Sequence, residues 1–411
     1  MKTWIMLLVL VAAAASASAD EVLRWNLLAT DVSAAGQTDP LTESRRFAIL
    51  HVAMHDAINS VEPRYELYGS RRASGHGSAE AAAAAAAHAV LCELYPAGRA
   101  QFDAALEESL RSVKDPTAAE QGAAAGREAA RAALEARRTD GADRAVRYTP
   151  GTKAGAYRPT PPDFTPAFMA QWGEIEPFVL RTPAQFRPAP PPAIDSARAK
   201  LDLEVVRTVG AATSATRTEE QSEISRFWYE HSTQGWNRIT RVVAEAQGLD
   251  LHESARLFAL VNLAMADGFI AGFEAKYHYA YWRPATAIRA SGEAEWLSDL
   301  VTPPVPDYPS THTVLGAAAA QVLARFFETD FIAFRMTSGA PYAGITRGFF
   351  GFSDAARENG ASRVLAGIHF PTAVAEGYRQ GEAVGDYVFD HALEPLDRRA
   401  VSHDRADAAV R

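Results

Sequence analysis

Cysteine is almost missing from this chain. Cys92 stands alone among 411 residues, so no intrachain disulfide can form and core packing must stabilise the fold by itself. An excess of positive charge is missing too. The formal net charge is -9, which argues against a nucleic-acid partner, because phosphate-backbone binding needs surplus Lys and Arg on one face. A local cation cluster inside a net-negative protein is still compatible with a small anion. Beyond the N-terminus no uninterrupted apolar run is long enough to cross a bilayer, so no membrane span is expected in the mature chain. Period-2 alternation is nearly absent, and no solenoid-length repeat is visible.

What is present begins with an N-terminal export signature. Lys2 gives the positive start, Ile5 to Ala15 the apolar stretch, and Ala17-Ser18-Ala19 a small-residue cleavage site. Residues 1–19 are therefore expected to be a signal peptide, with the protein exported to the periplasm or secreted. The next part, 20–149, reads as helical. Val22 to Val32 and Arg45 to Val61 carry helical spacing, and Ala79 to Leu94, Ala100 to Val113 and Thr117 to Arg137 are Ala-rich. Residues 150–192 hold a dense run of prolines, which cannot sustain regular helix or a central strand. Their aromatics, Tyr157, Phe164, Phe168, Trp172, Phe178 and Phe186, predict an extended connection packed on the helices. Helices are expected to resume over 193–396, including long ones at His252 to Tyr281, Ser310 to Phe327 and Ala373 to His391, before a charged tail at 397–411. The expected fold class is all-α, a large helical bundle. A homodimer is compatible with a helical chain of this size.

Three separated segments carry chemistry. In the first, Lys276 and Arg283 lie about two helical turns apart, and Pro284 is expected to end their helix. In the second, Ser310 is placed to cap a helix whose first turn holds Thr311 and His312. A helix start leaves backbone N–H groups free and favours an anion. In the third, Arg363 offers a planar guanidinium suited to a tetrahedral oxyanion. Gly367 permits close backbone approach, and His369 sits just before Pro371. Each segment alone is more simply read as solvated charge, a plain Ser cap or a packed His. A further pair, His51 and His55 beside Asp56, has helical spacing that can bind zinc; packing inside the bundle is the competing reading.

In chain order the three segments read K-x6-R-P, P-S-x-H and S-R-x3-G-x-H. This set resembles the superfamily of vanadium-dependent haloperoxidases and type 2 phosphatidic acid phosphatases. Stretches from Val22 to Asn26, Ala48 to Asn59 and Glu62 to Tyr65 also look like the N-terminal part of exported bacterial haloperoxidase-like members. The resemblance implies a helical bundle and a vanadate cofactor. It implies that Lys276, Arg283 and Arg363 neutralise the oxyanion, and that Ser310 and the Thr311 N–H hydrogen-bond it. His312 would be the acid–base residue, and His369 the ligand to vanadium. The implied small-molecule partners are hydrogen peroxide and halide. The alternative is an acid phosphatase acting on a phosphate ester with His369 as nucleophile, and a second alternative is a non-catalytic oxyanion binder.

Two departures from that pattern stand out. Thr311 replaces the usual Gly, so its branched side chain is expected either to crowd the anion or to add a contact through its hydroxyl. Ala373 stands where an Asp commonly orients the imidazole, which leaves Glu376 or Asp267 as the expected carboxylate partner of His369. Upstream, Val305 places an aliphatic group where some relatives carry halide-tuning side chains.

Overall fold

The computed structural model describes residues 20–69 and 77–396; the expected signal peptide and charged tail lie outside the described residues. Thirteen α-helices, two short 3-10 turns and one two-stranded hairpin make up its regular structure among the described residues, so the fold is all-α as expected. The helices are α1 (Glu21–Ala35), α2 (Pro40–Val61), α3 (Ala79–Leu94), α4 (Arg99–Ser112), α5 (Pro116–Ala136), α6 (Ala197–Val209) and α7 (Glu219–Phe227). They continue with α8 (Ser232–Gln247), α9 (Leu251–Tyr279), α10 (Pro284–Ala290), α11 (Thr311–Phe326), α12 (Phe352–Leu365) and α13 (Pro371–His391).

The axis of the molecule is α9. Asp250 caps it and Glu253 reaches back in a capping box. By length and composition α9 could cross a bilayer, but 94% of its most apolar stretch is buried inside the protein. The helices around it are α2 on the N-terminal side and α11 and α13 on the C-terminal side. The contact of α11 with α13 is unusually close. Gly377 and Gly381 face α11 backbone, where a Cβ would come within 2.6 Å of the Ser310 carbonyl and 2.3 Å of the Val314 carbonyl. The bare face of α13 therefore holds the start of α11 in place, and Ser310 N–H donates to the Ala373 carbonyl at 2.9 Å.

The Pro-rich segment contains one 3-10 turn, Ala170–Glu174. Its docking point is Asp267 on α9, whose carboxylate accepts the N–H groups of Phe178, Val179 and Leu180 at 2.6, 2.8 and 2.8 Å. Tyr277 and Tyr308 donate to its carbonyls at Phe168 and Ala189, both at 2.6 Å.

Three sequence expectations need correction. Lys276 and Arg283 do not share a helix: α9 stops at Tyr279, where Ala280 turns left-handed with φ 44°. Pro284 does not end a helix but opens α10 at its first position, where its missing N–H costs nothing. Both α12 and the hairpin β1 (Phe334–Thr337) with β2 (Thr346–Phe349) escaped the periodicity reading. Short strands and a helix with little apolar asymmetry leave a weak pattern.

Candidate functional site

Separate elements bring the three cations together. Lys276 comes from the last turn of α9, Arg283 from the N-cap of α10, and Arg363 from the last turn of α12. All are buried, at 0%, 0% and 4% exposure. Lys276 Nζ donates to the Pro306 and Asp307 carbonyls at 2.7 and 2.9 Å. An ammonium has three N–H bonds, so one is left over. Arg283 donates to the Val305 and Ile368 carbonyls at 2.7 and 2.6 Å and to Pro303 at 3.2 Å. Arg363 is different: its Nε and Nη1 are buried with no hydrogen-bond partner. Burial pulls its pKa down to about 10, and Arg283 adds to the fall. A buried guanidinium with empty donors is costly, and the group that relieves it is an anion. Burial, then the charges of Arg283 and Arg363, likewise hold Lys276 well below the usual lysine range.

Ser310 is the N-cap residue of α11, but its side chain makes no cap hydrogen bond. Its hydroxyl accepts from Thr313 Oγ1 at 2.9 Å, leaving its own hydrogen to give. Thr311 follows at the first helical position. Its γ-methyl is turned toward α9, where it fills the notch at Gly272: a Cβ on Gly272 would lie 2.5 Å from it. The bulk that replaces glycine is thus accommodated by a missing side chain on the neighbouring helix.

His312 has Nδ1 engaged by Ser232 Oγ at 2.8 Å, while Nε2 is buried without a partner. Burial, followed by Arg363, pushes its pKa well below the ordinary histidine value, so the ring is neutral. His369 lies in the turn between α12 and α13, and it too is driven well down, first by burial and then by Arg283, Lys276, Arg363 and His312. Gly367 helps shape that turn with φ 77°, but the backbone it approaches is Gly210.

The carboxylate partner of His369 is neither expected residue. Asp267 is committed to the Pro-rich segment, and Glu376 pairs with Arg379. The partner is Asp307, fully buried, with Oδ1 2.9 Å from His369 Nδ1 and 3.7 Å from Arg283 Nη1. Burial pushes its pKa up while Arg283 and Lys276 pull it back, leaving it at about 7. Both Asp307 oxygens lack a formed side-chain hydrogen bond, so this close approach is an electrostatic contact that sets a carboxylate beside Nδ1 and leaves Nε2 on the far edge of the His369 ring. Arg283 Nη1 donates to that Nε2 at 3.0 Å. Sequence reasoning missed Asp307 because it sought a carboxylate downstream of the histidine. The available signal was one ionisable residue in the apolar run before Pro309.

A cavity of about 390 Å³ opens over this cluster, lined by Arg283, Thr311, His312, Arg363 and His369 on one side. The Phe168, Phe269, Phe273, Pro304 and Val305 side chains make its apolar wall. His51 and His55 are elsewhere. His51 Nε2 meets Asn26 Nδ2 at 2.8 Å, and His55 lies against Asp56 at 3.2 Å. Asp56 itself accepts the Tyr68 and Gly69 N–H groups. The two histidines belong to the core packing.

Comparison with known proteins places this geometry. A family model described as the VCPO second helical-bundle domain matches residues 256–398, the stretch that supplies all the cluster residues above. The vanadium chloroperoxidase of Curvularia inaequalis is 34% identical over 88 residues, 18% of this chain and only 14% of that protein. A crystal structure described as the first bacterial vanadium-dependent iodoperoxidase shares 27% identity, with TM-score 0.81 over 91% of this chain and 97% of that one. Apo and holo structures of a bacterial vanadium-dependent chloroperoxidase match at TM-scores 0.68 and 0.66 over 86% of this chain and 94% and 92% of theirs, at 20% identity, a likeness of fold. The expected resemblance to the vanadium haloperoxidases therefore stands.

Proposed function

We propose that this chain is a vanadate-dependent haloperoxidase that uses hydrogen peroxide to oxidise a halide. The observation that carries the reading is Arg363, a buried guanidinium with unmet donors beside two further buried cations. These residues fit a tetrahedral oxyanion. Lys276, Arg283 and Arg363 would balance its charge, and Ser310 Oγ and the Thr311 N–H would hydrogen-bond it. His369 would ligate vanadium through Nε2, the nitrogen away from Asp307, with Arg283 giving up its hold on it. The chemistry that bound vanadate supplies is activation of hydrogen peroxide for two-electron oxidation of halide. His312 is neutral and has one unpartnered nitrogen, which suits it to accept a proton from an incoming peroxide.

The two departures at Thr311 and Ala373 are compatible with this reading. Asp307 supplies the carboxylate that Ala373 cannot, and the Thr311 methyl is seated against α9. Iodide is the first halide to try, because the apolar cavity wall suits a soft, weakly hydrated anion and the relative at 27% identity is described as an iodoperoxidase.

The test starts from protein purified without phosphate. Iodide oxidation by peroxide is followed with and without orthovanadate, and aryl-phosphate hydrolysis is assayed in parallel. The expected result is vanadate-dependent oxidation that falls on the order of 100-fold or more in His369→Ala. Phosphate release without any oxidation at saturating vanadate would overturn the proposal in favour of a phosphatase.

A further inference from the structure

The cavity holds a third histidine ring, one that none of the three motifs contains. His231 precedes α8 and lines the same cavity as His312 and Arg363. Behind it, in the first turn of α2, Glu43 is 0% exposed. One Glu43 oxygen accepts Ser33 Oγ and Gln234 Nε2, both at 2.7 Å. The other faces His231 Nδ1 at 3.2 Å. Among the described residues His231 is the only ion-pair partner of Glu43. A carboxylate taken wholly out of water needs a countercharge, and the imidazolium of His231 is the one at hand. With Nδ1 turned to Glu43, the opposite edge of the ring, bearing Nε2, is left for the cavity.

Two of the cavity histidines, His231 and His312, are electrically unlike. Ser232, the neighbour of His231 in sequence, holds His312 by a hydroxyl at 2.8 Å. His312 has no carboxylate partner, and Arg363 adds to the effect of burial in keeping it neutral. At His231 burial also disfavours charge, but Glu43, with Asp39 and Glu230, outweighs it and leaves the pKa above the ordinary histidine value. Glu230 is itself clamped by Arg238 at 2.7 and 2.8 Å, so Glu43 is the less compensated charge. The other charged or titratable groups on the cavity wall are Tyr229, Glu230, Arg283, Arg363, His312 and His369.

We propose that His231, backed by Glu43, is the proton donor of the site, complementary to the proton acceptor His312. The inference rests on the haloperoxidase reading. Overall, halide, hydrogen peroxide and one proton give hypohalous acid and water. The halide supplies two electrons, the O–O bond breaks and a halogen–oxygen bond forms. The departing hydroxide takes the proton from His231 Nε2, through water in the cavity, and leaves as water. Solvent then reprotonates the ring, whose side chain is 38% exposed.

Two measurements decide it. The first is the pH profile of vanadate-dependent iodide oxidation in wild type, His231→Gln and Glu43→Gln. Wild type is expected to lose rate on an alkaline limb set by His231. His231→Gln should lose about 100-fold in kcat, the usual scale of a lost general acid, with vanadate affinity kept within about twofold by the same division of roles. Glu43→Gln should keep most of the acid-side rate but move the limb down by about one pH unit. A merely structural role would lower the rate without moving the limb. The second is proton NMR titration of the vanadate-free protein, with His231 identified by its loss in His231→Gln. A midpoint above the ordinary histidine value that drops in Glu43→Gln is expected. An unchanged limb in both variants, or a His231 midpoint at or below the ordinary value, would sink the inference while leaving the haloperoxidase reading intact. Wild-type protein with no vanadate-dependent oxidation would sink that reading itself.

Discussion

One helix carries two buried polar clusters of opposite kind. Near the middle of α9, Asn262 joins Asn26 of α1, His51 of α2 and Asn237 of α8. About 21 Å further along the same axis, Lys276 joins Arg283, Arg363, Asp307 and His369. In the first cluster three amides chain together, Arg241 donates to Asn26 Oδ1, and His51 Nδ1 is left without a partner. Asn26 Nδ2 serves Asn237 Oδ1 at 2.7 Å, and Asn237 Nδ2 serves Asn262 Oδ1 at 2.8 Å. In the second, cations outnumber carboxylates and Arg363 keeps two donors empty. Histidine pKa does not separate them: burial drives His51 down to about 3 and His369 down as well. What separates them is unmet hydrogen-bonding capacity of one sign. An amide network with one partly exposed cation, Arg241, glues helices together, whereas one built on three buried cations with unmet donors costs stability until an anion arrives.

The sharpest way to break this comparison is Arg363→Met, which keeps volume and removes the charge. Vanadate affinity, measured by calorimetric titration, should fall on the order of 100-fold or more for the loss of charge-assisted hydrogen bonds. In vanadate-free protein the same change should raise the melting temperature, by about 1–2 kcal/mol of stability, because an uncompensated buried charge is gone. A lower melting temperature would mean that Arg363 is structural, and the contrast between the clusters would collapse. The mirror variant is His51→Ala. It leaves Asn26 short of an acceptor and opens a cavity, so thermal unfolding should show a loss of about 2–4 kcal/mol. Vanadate affinity should stay near wild type.

The same contrast explains what the sequence could and could not reveal. Cations and histidines at Lys276, Arg283, Arg363, His312 and His369 are chemically loud, and their order along the chain pointed to one pocket before any geometry was known. The Ala-rich helices were legible because propensity and burial agree there; α3 was read to its observed limits, Ala79–Leu94. Asp307 was illegible as a partner of His369, since a contact between residues in two loops has no periodic trace. Glu43 and His231 were hidden for the same reason, being joined across 188 positions. The break between α9 and α10 was misread because Pro284 carries two meanings, helix stop and helix start, and local spacing alone does not choose.

The smallest predicted effect tests whether the open cluster tolerates change in its frame as distinct from its charges. Thr311→Gly restores the residue common in relatives. It removes a methyl that fills the notch at Gly272 and places glycine in the first turn of α11, so stability should fall by about 1–1.5 kcal/mol. The backbone N–H that would face the anion survives, so vanadate affinity should change by less than about threefold. Gly272→Ala makes the complementary fault, because its Cβ would meet the Thr311 methyl at 2.5 Å; that overpacking should cost about 1–3 kcal/mol. Combined, the two changes exchange which helix owns the methyl. The double variant should therefore be more stable than the sum of the single losses implies, by about 1 kcal/mol or more of coupling. Strict additivity in thermal unfolding would show that Thr311 and Gly272 are not matched, and that some other contact absorbs the threonine.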